Sequence, residues 1–499
     1  MSIAQEKPSA TVEKKTETKS NQIEKPSVTE KKSKTTEVKK TTEDPCVCCN
    51  LCKNATDTRI NTMLYVEDIL IEGCGIKNKN LILDTITIKK KDLISPDDPK
   101  LLSSRLRLIS LGLFEKIDLS FRKGSKKNHI QLVISIKIRG TFIIRHIFMG
   151  SSRIVPLWLG ISAEERNFLG LGVTIGGSAV GSLKAEIMNG RPQTGTEAYV
   201  FLPRFFKIPM LIGGKFNYGS EFYRIYGDND DGNPNNFLSI PYIKAGLKFE
   251  TFFPLSSFYL RATLKSDHLN TTIPTETIRH IEDGTTGKVS FHLKDGHSQI
   301  SVFTLRLIHD TLDSPQLPSR GHFISLSASV GAPVIFSSYT FTRGEALFEK
   351  YLKFGNHVFS GHFFTGGIAG NAPLFERFYI GDFQDLVSPR ALEMNMSVAT
   401  SPNFLGNNIN ETRWGTAVFK AWIRWDYPFL GRHGFIYKGN FFISAGAMGL
   451  FTASQLKYRQ KGIYESLPVD LTFDFGLHLD TRYGMFKLSI SNAIGRLPF

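Results

Sequence analysis

Few residues in this sequence have the types and spacing that chemistry needs. Four cysteines, Cys46, Cys48, Cys49 and Cys52, stand together in PCVCCNLC, and Cys74 stands apart. Thiolates at such spacing bind soft metals, form local disulfides or carry lipid. The adjacent Cys48 and Cys49 make a single tetrahedral site awkward, and no second half of a zinc motif follows. The cluster therefore reads as a reactive but non-essential tail, and no metal or other cofactor is expected. His309 with Asp310, and Asp474, His478 and Asp480 on one face of a later strand, resemble a metal or acid–base cluster. No glycine-rich loop, nucleophile elbow or metal spacing accompanies them, so they read as interior-lining residues and no enzyme is expected. One cation remains conspicuous, Arg390, in the stretch LFERFYIGDFQDLVSPRALEMN from Leu374 to Asn395. That stretch opens as an amphipathic strand, with Phe375, Arg377 and Tyr379 opposing Glu376, Phe378 and Ile380, and breaks at Gly381. Taken alone, Arg390 is a surface-loop arginine.

The elements around these residues say more. AVFKAWIRWDYPF alternates strictly: Phe419, Ala421, Ile423, Trp425 and Tyr427 share one face, while Val418, Lys420, Trp422, Arg424 and Asp426 share the other. DLTFDFGLHLD sets Leu471, Phe473, Phe475, Leu477 and Leu479 against Asp470, Thr472, Asp474, Gly476, His478 and Asp480. SFYLRATLK sets Phe258, Leu260, Ala262 and Leu264 against Tyr259, Arg261, Thr263 and Lys265. A soluble sandwich needs a dry, apolar interior, so charges on the hidden face exclude it. Lipid outside and a polar lumen inside fit a transmembrane antiparallel β-barrel. Trp425, Tyr427 and Phe429 near a strand end suit an interfacial girdle. No run of eighteen or more apolar residues exists, so no transmembrane helix is expected. About 360 residues follow Gly140, room for about sixteen strands of roughly 9–11 residues with their loops. A strand-by-strand reading finds about fifteen, from about Thr141–Met149 to MFKLSISNAIG, after which only RLPF remains.

Before Gly140 the pattern differs. YVEDILIEG reads as a strand, residues 79–92 as a weak first helix, and LLSSRLRLISLGLF as a helix with Leu101, Leu102, Leu106, Ile109 and Leu113 on one side and Gly112 as its stop. EKIDLSF and IQLVISIKI follow as strands across the basic turn RKGSKKNH. This is a compact α+β module. The first 45 residues are nearly all Lys, Thr, Glu and Ser. They contain no apolar h-region and are neither Arg-rich nor acid-poor, so a disordered tail is expected, and neither a secretory signal nor a matrix-targeting peptide. The net charge of +15 is scattered through strands and loops, so no nucleic-acid partner is expected.

In this order the pieces resemble the outer-membrane β-barrel assembly-factor superfamily, the bacterial surface antigen family. Four stretches carry the resemblance: RLRLISLGLFEKIDLSF, similar to the helix-to-strand signature of a POTRA domain; ERNFLGLG (Glu165 to Gly172); HDTLDSPQLPSRG (His309 to Gly321); and ERFYIGD with the loop after it. The resemblance implies a tail at residues 1–60, a POTRA-like domain at 61–139 and a sixteen-stranded barrel at 140–499. It implies that the Arg390 loop folds into the lumen. Pro389, Arg390, Ala391 and Leu392 stand where the family has a Val-Arg-Gly-Phe-type motif, with only the cation kept. FFISAG places Ser444 where the family has an Asp or Asn partner for that arginine, a weaker acceptor. One apparent POTRA-like domain and a polar tail resemble the core of the mitochondrial sorting and assembly machinery more than its bacterial counterpart. That implies an insertase of the mitochondrial outer membrane acting on unfolded β-barrel precursors with accessory subunits, opening between first and last strands. A bacterial outer-membrane assembly factor or a polypeptide-conducting channel is the alternative implied.

Overall fold

The structure is a computed structural model. It describes most residues from Met63 to Ser491. Residues 1–62 and 492–499 lie outside it, with loop segments that include 384–389, 397–404 and 453–468. The cysteine cluster and Pro389 are therefore outside the described residues.

The first described elements are β1 (Leu64–Glu72), α1 (Ile76–Thr85), β2 (Leu93–Ile94), α2 (Pro99–Ser110), β3 (Phe114–Lys123) and β4 (His129–Ile138). They form one sheet of order β2-β1-β4-β3. β1 and β4 pair in parallel, which requires the helical crossover between them. Val66, Ile82, Ile88, Leu108, Leu132 and Ile134 form its core, each at most 1% exposed. The helix expected from Leu101 starts earlier, at Pro99. Asp98 caps it, its carboxylate accepting from the Lys100 amide at 2.8 Å, with proline in the first turn.

The remaining strands are β5 (Phe142–Gly150), β6 (Trp158–Phe168), β7 (Val173–Ser182), β8 (Thr194–Phe205), β9 (Ile208–Arg224), β10 (Phe237–Leu255), β11 (Phe258–Thr271), β12 (Ile278–His280), β13 (Thr286–Lys288), β14 (Gly296–Asp310), β15 (Gly321–Gly331), β16 (Phe341–Phe354), β17 (His357–Gly370), β18 (Phe378–Tyr379), β19 (Trp414–Gly415), β20 (Ala417–Leu430), β21 (Ile436–Phe451), β22 (Val469–Thr481) and β23 (Gly484–Ser491). β12–β13 and β18–β19 are separate small ribbons. The other fifteen form a single sheet from β5 to β23, each strand antiparallel to the next. Fifteen matches the strand-by-strand reading; a sixteenth is not among the described residues. β5 and β23 lie side by side, yet no hydrogen-bonded ladder joins them among the described residues.

The two faces of this sheet obey the expected alternation. On β20, Ile423 is 71% exposed while Val418 and Asp426 are buried; on β22, Phe475 is exposed while Asp470 and Thr472 are buried. Apolar side chains point outward and ionic ones inward, as bilayer and lumen demand. Among the described residues no helix is long and apolar enough to cross a membrane; the strands provide the crossing. Turns at the end where β5 begins are short, as at 169–172 and 355–356, and Leu81 of α1 lies against Gly172 in the β6–β7 turn at that end. The β14–β15 connection there is longer. Asp313 organises it, its carboxylate accepting from the Ser319 amide (2.7 Å), the Ser319 hydroxyl (2.5 Å) and the Arg320 amide (3.1 Å). Burial pushes the Asp313 carboxyl up, but these donors outweigh it and hold the group below the usual aspartate range. Long connections gather at the other end, and the longest, between β17 and β20, turns back into the lumen.

Candidate functional site

The stretch 374–380 is not the strand its alternation suggests. Leu374–Glu376 and Ile380–Asp382 are 3₁₀ turns, and only Phe378–Tyr379 pairs, with Trp414–Gly415. All residues from Leu374 to Ile380 are buried, the two charged ones at 9% exposure. Alternation is meaningful only when one face meets solvent or lipid; here both faces are covered, so the pattern carries no strand. Tyr379, Phe378, Ile380 and Trp414 pack with Val418, Met448 and Leu450 of the barrel wall.

Arg390 does fold inward, with a side chain 14% exposed. Its partner lies within the loop. Nε donates to Asp382 Oδ2 at 3.1 Å, Nη2 pairs with the same carboxylate, and Nη1 reaches the Phe375 carbonyl at 3.4 Å. The guanidinium also sits over the Trp414 and Tyr379 rings, 5.5 and 5.8 Å from their centroids. Arg390 thus fixes the loop's own fold. Ser444 is not its partner: that hydroxyl donates to Asp474 on the neighbouring strand at 3.1 Å. The motif's next two residues, Ala391 and Leu392, form a tight turn. Ala391 and Met394 exchange two 2.9 Å backbone hydrogen bonds, with Leu392 and Glu393 at positive φ between them.

That turn presents Glu393 to the barrel wall. Its carboxylate meets Lys215 of β9, Lys244 of β10 at 2.7 Å and Lys265 of β11 at 3.1 Å. Lys265 also reaches Glu376 at 3.1 Å, and Arg343 of β16 donates to the Glu376 carbonyl at 3.1 Å. Asp267 sits 3.2 Å from Lys215 and 3.3 Å from Lys265 without a directed hydrogen bond, so it contributes charge at close range. Neutral contacts continue the attachment. Asn217 donates to the Leu392 carbonyl (2.8 Å), Asn395 to Glu221 (3.2 Å), and the Tyr379 hydroxyl to Asn395 (2.9 Å). Beside the turn lies a lumen cavity of about 300 Å³ lined by Lys215, Lys265, Asp267, Arg343, Glu376 and Glu393.

Gly246 makes this cluster possible. It stands directly between Lys215 and Asp267 in cross-strand register. A Cβ there would lie 1.9 Å from Asp267 Oδ1. Gly246→Ala is therefore expected to displace Asp267 and destabilise the barrel by about 1–3 kcal/mol. A lowered temperature for the heat-induced mobility shift on gels would show it, and an unchanged temperature would mean that the row is dispensable.

Of the residues singled out in the sequence, Arg390, Ala391 and Leu392 come together, and Ser444 lies apart from them. Glu393, Asp382, Lys215 and Lys244 carry no signal singled out above, and Lys265 appears there only on the polar face of its strand. The available signal was Lys215, Lys244 and Lys265 at inward positions of three successive strands. Of the acid–base candidates, His478 accepts from Arg424 in the lumen (2.7 Å). His309 instead lies on the outer face with Leu305, hydrogen-bonded to His322 at 3.0 Å and beside the Phe258 ring. Among the described residues no group of three or more His, Cys, Asp or Glu is placed to hold a metal.

An apolar exterior, an ionic lumen and a long connection latched inside it define an outer-membrane β-barrel with an internal plug, preceded by a small α+β domain. The chain belongs to the Omp85 superfamily: residues 167–495 match the Omp85 superfamily domain. It is 23% identical over 339 residues to the outer membrane protein assembly factor BamA of Nitratidesulfovibrio vulgaris, a match covering 66% of this chain and 39% of that protein. In fold it is similar to CdiB from Escherichia coli (TM-score 0.53, 9% identity, 86% of this chain and 72% of that one). It is also similar to CdiB from Acinetobacter baumannii (TM-score 0.50, 11% identity, 86% and 74%). The family and the barrel place the chain in an outer membrane.

Proposed function

We propose that the protein folds and inserts β-barrel precursors into the mitochondrial outer membrane, through the seam between β5 and β23. The observation that carries this reading is that seam: two adjacent strands with no ladder between them among the described residues. Each strand edge offers backbone donors and acceptors to an incoming strand, which would otherwise desolvate its amides alone in lipid. The partners are unfolded β-barrel precursors, the bilayer and accessory subunits of an assembly complex; neither nucleotide nor nucleic acid takes part. A second reading, a polypeptide-conducting channel gated by the plug, is favoured by the charged lumen cavity beside Glu393.

The test is acute depletion followed by pulse-chase of a labelled porin precursor into isolated mitochondria, read on native gels. The expected result is porin that reaches the organelle without forming its membrane-integrated complex, while helical outer-membrane proteins insert normally. Porin assembly at the undepleted rate would remove the mitochondrial insertase reading.

A further inference from the structure

The outer face of the barrel carries one feature that insertion does not use. Across β16, β17, β20 and β21 the outward residues frame a groove of about 530 Å³, within the roughly 300–1,000 Å³ range of ligand sites. Its floor is Gly361, where an added Cβ would meet nothing within 4 Å. Its walls are Leu352, Phe359, Ile423, Trp425 and Ile443. Trp425 is a fixed wall, because its indole N–H donates to His357 at 3.1 Å and the two rings stack.

At one end stands Lys350, directly opposite Gly361 on one side and His322 on the other. Lys350 is exposed on the lipid-facing side and has no acidic partner among the described residues. A cation on that face costs energy that falls towards the interface, where a long side chain can extend into the headgroups.

The register fixes which end is which. Lys350 is four residues from the short-turn end of β16 at Phe354. Ile423 is seven residues from the corresponding end of β20 at Leu430, and Ala445 is nine from the start of β21 at Ile436. Lys350, Gly361, Ile423 and Ala445 form one cross-strand row. The row therefore climbs from the rim at Lys350 towards the middle of the bilayer at Ala445. A cation at the rim and an apolar trough leading inward match a phosphate with an acyl chain below it.

We infer that this groove holds one anionic phospholipid of the leaflet on the side of the small domain. Its phosphate pairs with Lys350, and one acyl chain lies over Gly361 between Phe359, Trp425 and Ile423. The occupant is a bilayer component and not a protein: the trough is walled by apolar side chains on the lipid-facing side, and its single charged side chain on that face, Lys350, stands at the rim.

Native mass spectrometry of the purified full-length chain, delipidated in detergent and titrated with dioleoyl phosphatidylglycerol or dioleoyl phosphatidylcholine, tests the inference. The wild type is expected to retain one phosphatidylglycerol about tenfold more tightly than phosphatidylcholine, whose choline cation offsets the same phosphate and is repelled by Lys350. Lys350→Gln should erase that preference while leaving weak binding of both lipids. Gly361→Ile, whose side chain enters open space and leaves the fold intact by heat-modifiability, should abolish retention of both. Equal affinities in the wild type, or unchanged retention in Gly361→Ile, would overturn the inference. So would a groove occupied by a second copy of the chain, seen as a dimer that Gly361→Ile dissolves.

Discussion

Glu393→Gln is expected to free the plug from the barrel wall and to cost about 3 kcal/mol. Lys244 is the reason. Its side chain is 2% exposed, and Glu393 is its one acidic partner among the described residues. Removing one member of a buried ion pair leaves an uncompensated charge, worth about 3–5 kcal/mol. The lower end applies because Glu393 keeps 38% of its side chain exposed and solvent screens part of the interaction. Lys265 and Lys215 retain Asp267, and Lys265 retains Glu376, so they lose less. The measurement is limited proteolysis at the loop with the heat-modifiability midpoint alongside. Faster loop cleavage at a lowered midpoint is expected. Arg390→Lys is the informative comparison. It keeps the charge but loses the fork on Asp382, so it should loosen the loop's internal fold with less effect on the midpoint. Cleavage and midpoint unchanged in Glu393→Gln would show that the neutral contacts of Asn217 and Asn395 suffice.

Locking the seam should have the larger functional effect. With Cys46, Cys48, Cys49, Cys52 and Cys74 replaced by serine, pairs of cysteines placed along Phe142–Gly150 and Gly484–Ser491 are expected to cross-link wherever their Cβ atoms come within about 3.5–4.5 Å. Each backbone group left unpaired in lipid costs several kcal/mol, and each 1.36 kcal/mol is tenfold in rate. A client denied the two edges should therefore insert at least about a hundredfold more slowly, and reductant should restore the rate. A cross-linked barrel that inserts clients at the reduced rate would exclude the seam and favour passage through the lumen.

Much of this architecture is legible in the sequence, because a barrel wall separates two solvents. Ile423 and Phe475 meet lipid while Asp426 and Asp470 meet the lumen, and period-two alternation records that difference residue by residue. The plug is legible only in part. Arg390 stands out as an isolated cation, but its partner cannot be read from spacing. Asp382 is eight residues away along an irregular path of 3₁₀ turns, with no period to bring it near. Glu393 is still less visible. Its partners come from three strands, and it faces them because Leu392 and Glu393 take a left-handed turn that neither residue type favours. Phe375 to Ile380 misled for a related reason: a segment covered on both sides keeps alternation without obeying it. Gly246 shows why its cluster escapes a reading by residue type, since its contribution is the side chain it lacks.

The described sheet also has a polarity. Every strand from β5 to β23 is antiparallel to its neighbour, so the first and the fifteenth run the same way, both leaving the small-domain end and rising towards the long connections. Two such edges cannot close on each other in the antiparallel pattern that governs the rest of the wall. A single strand descending between them, from the long-connection end to the small-domain end, can pair antiparallel with both at once. On the proposed function, a client strand that enters between them is thereby favoured in one direction. Such a strand arrives with its C-terminal end towards the small domain, and one presented the other way round can pair only in the parallel pattern, slightly less stable per residue.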